Sequence, residues 1–196
     1  MQDWSDHVEA LVKAGHVGAA ISVVSTSIER GGHQPSLQLF YLILGVLVER
    51  RNRPAAASVR ALMRQSSTPP DTPAYNFALR ACGGKHAMQH ADQVLREMKE
   101  AGVAANIGTF SAAFQACWHS RDWQRALDRF AEMEANYPHL VTVQTWNQVL
   151  GVLVVGGKPE LAITKVAEMA NRKLKLNAGT SPACWGLMPF SPTAAR

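Results

Sequence analysis

TPAYNFALRACGGKHAMQHADQVLREMKEAGVAAN, residues 72–106, is the stretch whose pattern decides the fold. Thr72 can cap a helix with Pro73 at its first position, and Ala74 to Cys82 then carries apolar residues at helical spacing until Gly83 and Gly84 end the run. A second amphipathic run extends from about Ala87 to Glu100, with Ala91, Val94, Leu95 and Met98 on one face and Gly102 as its stop. The stretch predicts two antiparallel helices joined by a tight turn.

The same plan recurs in both directions along the chain. An aromatic residue returns at Trp4, Phe40, Tyr75, Phe110 and Trp146, an alanine at Ala20, Ala56, Ala91, Ala126 and Ala162, and a methionine at Met63, Met98, Met133 and Met169. All three columns keep one phase, with steps of 35 or 36 residues. The units are 1–36, 37–71, 72–106, 107–142 and 143–177, read as a single solenoid over 1–177, and 178–196 reads as a partial sixth unit or tail. In the fourth unit Ser120 can cap the second helix, and in the fifth Pro159 opens it after Gly156 and Gly157. A unit of this kind cannot bury its apolar face alone, so neighbours must stack. The expected fold is all-α: an α-solenoid, a right-handed superhelix of stacked helix-turn-helix repeats. The alanine column lets paired helices approach closely, and the aromatic and methionine columns fill the space between units. Cys82 and Cys117 share the repeat position of Leu11, Leu47 and Leu153, which makes them small core residues rather than reactive ones.

Composition agrees with a packed domain. The chain has 196 residues, 47% hydrophobic and 18% charged, enough apolar material for a core. Its longest apolar run, Leu39 to Val48, meets Glu49, Arg50 and Arg51, short of the roughly 20 residues a bilayer crossing needs. MQDWSDHVEA has neither a signal-peptide core nor the Arg/Ser-rich character of a transit peptide, so it reads as a cytoplasmic start or as one whose true beginning is missing. Three cysteines, Cys82, Cys117 and Cys184, include no CxxC pair and are expected as free thiols. The net charge of +5 permits a polyanionic partner.

Tyr75-Asn76, Trp146-Asn147, the alanine column, the methionine late in the second helix and the glycine after it together resemble the pentatricopeptide repeat. A tetratricopeptide array would show W-x₂-L-G-x₂-Y at a period of about 34, which no unit here displays. The resemblance covers 1–177 and implies a single-stranded RNA-binding protein acting in RNA processing or stability, one base to a unit, read by the unit's fifth and last residues. Carried over, those residues are Ser5 with Ser36, Tyr41 with Asp71, Asn76 with Asn106, Ser111 with Thr142, and Asn147 with Asn177. The two Asn–Asn pairs imply pyrimidine reading with cytosine preferred; Tyr41 has no counterpart in that code. The family stacks bases on an aliphatic residue at position two; of Gln2, Gln38, Pro73, Gly108 and Gln144, only Pro73 fits. A phosphate-contacting lysine near the end of the first helix is matched by Lys13, with Lys85 nearby in its own unit. The resemblance further implies a mitochondrion or chloroplast, no cofactor and no small-molecule substrate.

The residues allow two other readings. Asn76 and Asn147 suit local hydrogen bonding near a helix start, and the basic residues Arg50, Arg51, Arg53, Lys85, Arg121 and Lys158 suit a solvated rim of turns. A protein-protein scaffold using the same surface is the alternative function. Chemistry of other kinds finds no support. His86 and His90 lack further metal ligands; GVLVVGGKP, counted from Gly151, has Gly157 where a phosphate loop needs lysine and, counted back from Lys158, has Val152 for its glycine and Pro159 for its hydroxyl; and His119, Ser120 and Asp122 form no triad. The expectation is a binding protein, not an enzyme.

Overall fold

A computed structural model describes residues 2–82 and 87–174, and among them it contains ten α-helices, one short 3-10 turn and no strand. The helices are α1 (Gln2–Lys13), α2 (Val17–Glu29), α3 (Leu37–Glu49), α4 (Arg53–Gln65), α5 (Thr72–Arg80), α6 (Ala87–Glu100), α7 (Ile107–Ser120), α8 (Trp123–Asn136), α9 (Val143–Val155) and α10 (Pro159–Asn171). Two compact units divide the chain, 1–112 and 113–196.

In the first unit α1 packs on α2, α3 on α4 and α5 on α6, and the leading helices stack α1 on α3 on α5. Phe40 and Tyr75 from those leading helices are at most 1% exposed, as are Ala20, Ala56 and Ala91 from their partners. Alanine at these sites removes side-chain bulk where two helices meet, so the backbones close up and the larger residues fill the layer between pairs. Trp4 is the exception in its column: it is half-buried and tilts against the His33 ring at 5.7 Å. Within the second unit α9 packs on both α8 and α10. Its core holds Trp146, Val149, Leu150 and Leu153 with Ala126, Phe130, Met133, Ala162 and Met169, all at most 1% exposed. Cys82 and Cys117 are both buried, and burial pushes the Cys82 thiol up to about 11, where it is inert at neutral pH.

Two helix starts differ from the sequence expectation, each by a step toward a better acceptor. Asp71, not Thr72, caps α5: its Oδ1 accepts the Ala74 N–H at 3.1 Å. Thr72 is already helical, and its hydroxyl donates to the Ala104 carbonyl at 2.9 Å. Ser120 does not cap α8; it ends α7, with its hydroxyl turned back to Ala116 O at 3.0 Å. The cap of α8 is Asp122, which accepts the Arg125 N–H at 3.1 Å. A carboxylate at a helix N-terminus also answers the positive end of the dipole, which a hydroxyl does not. The first helix of the stretch 72–106 likewise stops at Arg80, not Cys82. Gly102 and Gly157, at φ +67° and +73°, occupy the left-handed region where a side chain would be strained. The tail residues Trp185, Leu187, Met188 and Phe190, expected to cover the end of the stack, and Cys184 lie outside the described residues.

Candidate nucleic-acid interface

The last residue of each of the first four units turns out to be a helix cap. Ser36 Oγ accepts the Leu39 N–H at 3.3 Å, Asp71 Oδ1 that of Ala74, Asn106 Oδ1 that of Thr109 at 3.0 Å, and Thr142 Oγ1 that of Thr145 at 3.4 Å. Ser, Asp, Asn and Thr are the residues that can satisfy an orphan N–H at a helix start, so local folding alone restricts what can stand there.

In two repeats of the compact unit 1–112, those at 37–71 and 72–106, the fifth residue reaches across to the cap that follows it. Asn76, half-buried on α5, donates from Nδ2 to Asn106 Oδ1 at 3.1 Å. Thr109, fully buried, accepts the Asn106 N–H at 3.1 Å and donates its hydroxyl to Asn76 Oδ1 at 2.7 Å. This ring of bonds fixes which way both amides point: flipping Asn106 would set its amide N–H groups against those of Thr109 and Asn76, and flipping Asn76 would set its oxygen against Asn106 Oδ1. Oδ1 of Asn106 already takes two N–H groups, which leaves Nδ2 as the group of this exposed residue that the ring does not use. Thr109 is the member that sequence reading passed over; its signal was the spacing Asn106-x-x-Thr109, a reciprocal cap in miniature. Gly108 keeps this amide pair open: a Cβ there would lie 3.0 Å from Asn76 Nδ2 and 3.1 Å from Asn106 Oδ1.

Tyr41 and Asp71 form the corresponding pair one repeat earlier. The phenol donates to Asp71 Oδ2 while Oδ1 caps α5, and the ring tilts against Phe77 at 5.9 Å. Burial, then the hydrogen bond to and the charge of Asp71, pushes the Tyr41 hydroxyl up to about 12. Above pH 10 an unfolded tyrosine loses its proton while Tyr41 keeps it, so the unfolded state binds fewer protons and stability falls as pH rises toward 12. The expected loss, discounted for solvent screening, is about 1 kcal/mol. Urea melts between pH 9 and 12 should show this slope, and Tyr41→Phe should flatten it; an equal slope in both would refute the coupling.

The remaining expected contacts are scattered. Ser111 is half-buried on α7, and Thr142 forms a capping box with Thr145 at the start of α9. Asn147 lies half-buried one turn into α9. Pro73 is exposed in the first turn of α5, and Lys13 is exposed at the end of α1, paired with Glu9 at 2.7 Å. Asn177 and Lys85 lie outside the described residues, as does His86. Arg51 and Arg121 sit in turns at φ 50° and 56°, and Lys158 stands over the Trp123 ring at 5.2 Å. Among the described residues no three metal-ligating side chains gather, and no helix is long and apolar enough to cross a membrane.

Paired helices stacked by their leading members, with polar pairs bridging successive first helices in the first unit, define an all-α solenoid of helix-turn-helix repeats. The chain belongs to the pentatricopeptide repeat family: the pentatricopeptide repeat domain model matches residues 23–85 and 93–154, and the PPR repeat model matches 73–103. A mitochondrial pentatricopeptide repeat-containing protein of Arabidopsis thaliana is 26% identical over 122 residues, 61% of this chain and 29% of that protein. The pentatricopeptide repeat protein PPR10, solved in complex with an 18-nt psaJ RNA element, superposes with a TM-score of 0.75 at 23% identity over 90% of this chain and 26% of its own. Nuclear proteinaceous RNase P 2 of A. thaliana follows at 0.66 and 14%, over 91% of this chain and 40% of its own. Both likenesses are of fold, and this chain spans under half the length of each of these proteins.

Proposed function

We propose that this chain binds single-stranded RNA, each competent repeat contributing one base contact, and acts in RNA processing or stability. The observation that carries the reading is the Asn76–Asn106–Thr109 ring, which occupies the side-chain acceptor of Asn106 internally and leaves the Nδ2 donors of this exposed residue for an outside partner. Such a donor suits the N3 acceptor of cytosine and opposes the N3–H of uracil. Family membership, the net charge of +5 and the RNA complex of PPR10 support it, and the mitochondrial relative supports an organellar site of action.

Asn106→Asp tests the reading with little disturbance. A carboxylate still caps α7 and still accepts from Asn76, but its second oxygen accepts where Nδ2 donated. Preference at that base is expected to move from cytosine toward uracil by about 0.5–1.5 kcal/mol, the net worth of one typical hydrogen bond. Competition between RNAs differing at one base measures it, and unchanged preference would remove Asn106 from base reading. The parent should bind with a log-log salt slope near −0.7Z, with Z about two to four. Absence of RNA binding at low salt would instead favour the protein scaffold.

A further inference from the structure

Trp118 lies outside every contact assigned above. At 45% it is the most exposed of the large hydrophobic side chains among the described residues, although it sits on α7 between buried Cys117 and the end of the helix. Its seat is Gly151 on α9. A Cβ built at Gly151 would come 2.5 Å from Cζ3 of the indole, 3.3 Å from Cε3 and 3.5 Å from Cη2. Cζ3 is nearest and its two ring neighbours follow, so the six-membered ring points its edge at the helix. An indole standing edge-on leaves ring face uncovered, in keeping with its exposure. Only glycine permits the seat, because a contact of 2.5 Å is one that real Cβ atoms do not make.

The seat lies on a particular face of α9. Gly151 follows Asn147 by four residues, which places the two on one side of the helix, about 6 Å apart along its axis. Arg121, exposed and in the left-handed conformation at φ 56°, closes the same end of α7, its N–H donating to the Trp118 carbonyl at 3.2 Å. Aromatic face, amide and cation are the three elements that hold a single-stranded nucleotide: stacking for the base, hydrogen bonds for its edge, charge for its phosphate.

We infer that the Trp118 indole, seated on Gly151, is a stacking platform for one nucleobase of single-stranded RNA, whose edge turns toward Asn147 and whose phosphate meets Arg121. The inference rests on the RNA-binding reading. Position two offers Gly108 and Gln144 in the last two units, neither an aliphatic stacking surface, and Trp118 supplies the missing one. A nucleobase fits better than a peptide because the open surface is a lone aromatic with a cation and an amide, not a broad apolar patch.

Short fluorescein-labelled single-stranded RNAs of random sequence, titrated into the parent and its variants, test this. Trp118→Ala should weaken binding about tenfold with an unchanged salt slope, since stacking releases no counterions. Trp118→Phe should lose about threefold or less, because a smaller ring still stacks. Gly151→Ala, which unseats the indole without removing it, should weaken binding as well. Arg121→Ala should lower the slope by about 0.7. RNA should also quench the parent's tryptophan emission and quench Trp118→Phe much less, a readout that holds even if the alanine variant folds poorly. Binding by the parent with equal affinity and equal quenching in the Trp118 variants overturns the platform alone. No RNA binding by the parent overturns the RNA reading and the platform with it; capture of a folded protein at Trp118 without RNA binding would make this face a protein contact.

Discussion

Trp146→Ala is expected to lower the unfolding free energy by about 4 kcal/mol, the middle of the range for deleting a buried aromatic. The indole is 0% exposed and meets Phe130 edge-to-face at a centroid distance of 4.6 Å. Lys165 and Arg172 stand 5.8 and 5.1 Å from its centre, each adding a cation-π attraction. Arg172 is itself held by Glu134 and Glu168, which raise its guanidinium further above its usual range. Truncation therefore empties the space between α8, α9 and α10 and leaves two cations without their aromatic partner. Trp146→Phe keeps the edge-to-face contact and removes the buried Nε1–H, which has no hydrogen-bond acceptor, so its cost should be nearer 1–2 kcal/mol. Urea denaturation of the three proteins measures both steps. A loss below about 1 kcal/mol for alanine would mean that the second unit is not built around this ring.

The next largest effect is expected at Glu97. Arg60 is buried at 4% exposure, and its guanidinium reaches Glu97 Oε2 at 3.0 Å, with Arg64 sharing that oxygen at 3.5 Å. Arg60 Nε has no acceptor, so Glu97 carries most of the compensation for a charge held out of water. Glu97→Ala should cost about 3 kcal/mol, at the lower end for an orphaned buried charge because the Glu97 side chain is 24% exposed. Arg60→Met keeps the apolar stem and removes the charge, and should cost about 1 kcal/mol or less. In the double variant the alanine penalty should largely vanish, since no charge remains to be orphaned. Thermal melts of the four proteins close the cycle. An Arg60→Met variant less stable than Glu97→Ala would show that the arginine is needed for packing, not merely tolerated with its partner.

Helix starts show where sequence reading loses resolution. Thr72 and Asp71, or Ser120 and Asp122, are neighbouring residues that can all accept at a helix start, and choosing between them needs the competing partner. For Thr72 that partner is the carbonyl of Ala104, 32 residues away. For Ser120 it is the preceding turn of its own helix, which a hydroxyl can join and a carboxylate cannot.

What the amino-acid sequence determined alone is the repeat: the alanine, aromatic and methionine columns recur because each helix pair must present the same shape to the next. Ala20, Ala56, Ala91, Ala126 and Ala162 are all at most 1% exposed, and Met63, Met98, Met133 and Met169 at most 2%. Periodicity survives as a signal because burial selects residue size at every turn of the pattern, independently of which atoms touch. Only the tertiary structure decided what the polar residues do. That Asn76 spends its amide on Asn106 and Thr109, that Tyr41 closes on Asp71, and that Trp118 stands on a glycine follow from the separation of helix axes and the angle at which each side chain leaves its own helix. Hydrogen bonds and ring seats are settled over tenths of an ångström, and their partners lie 30 or more residues apart in the chain, beyond the reach of any local preference.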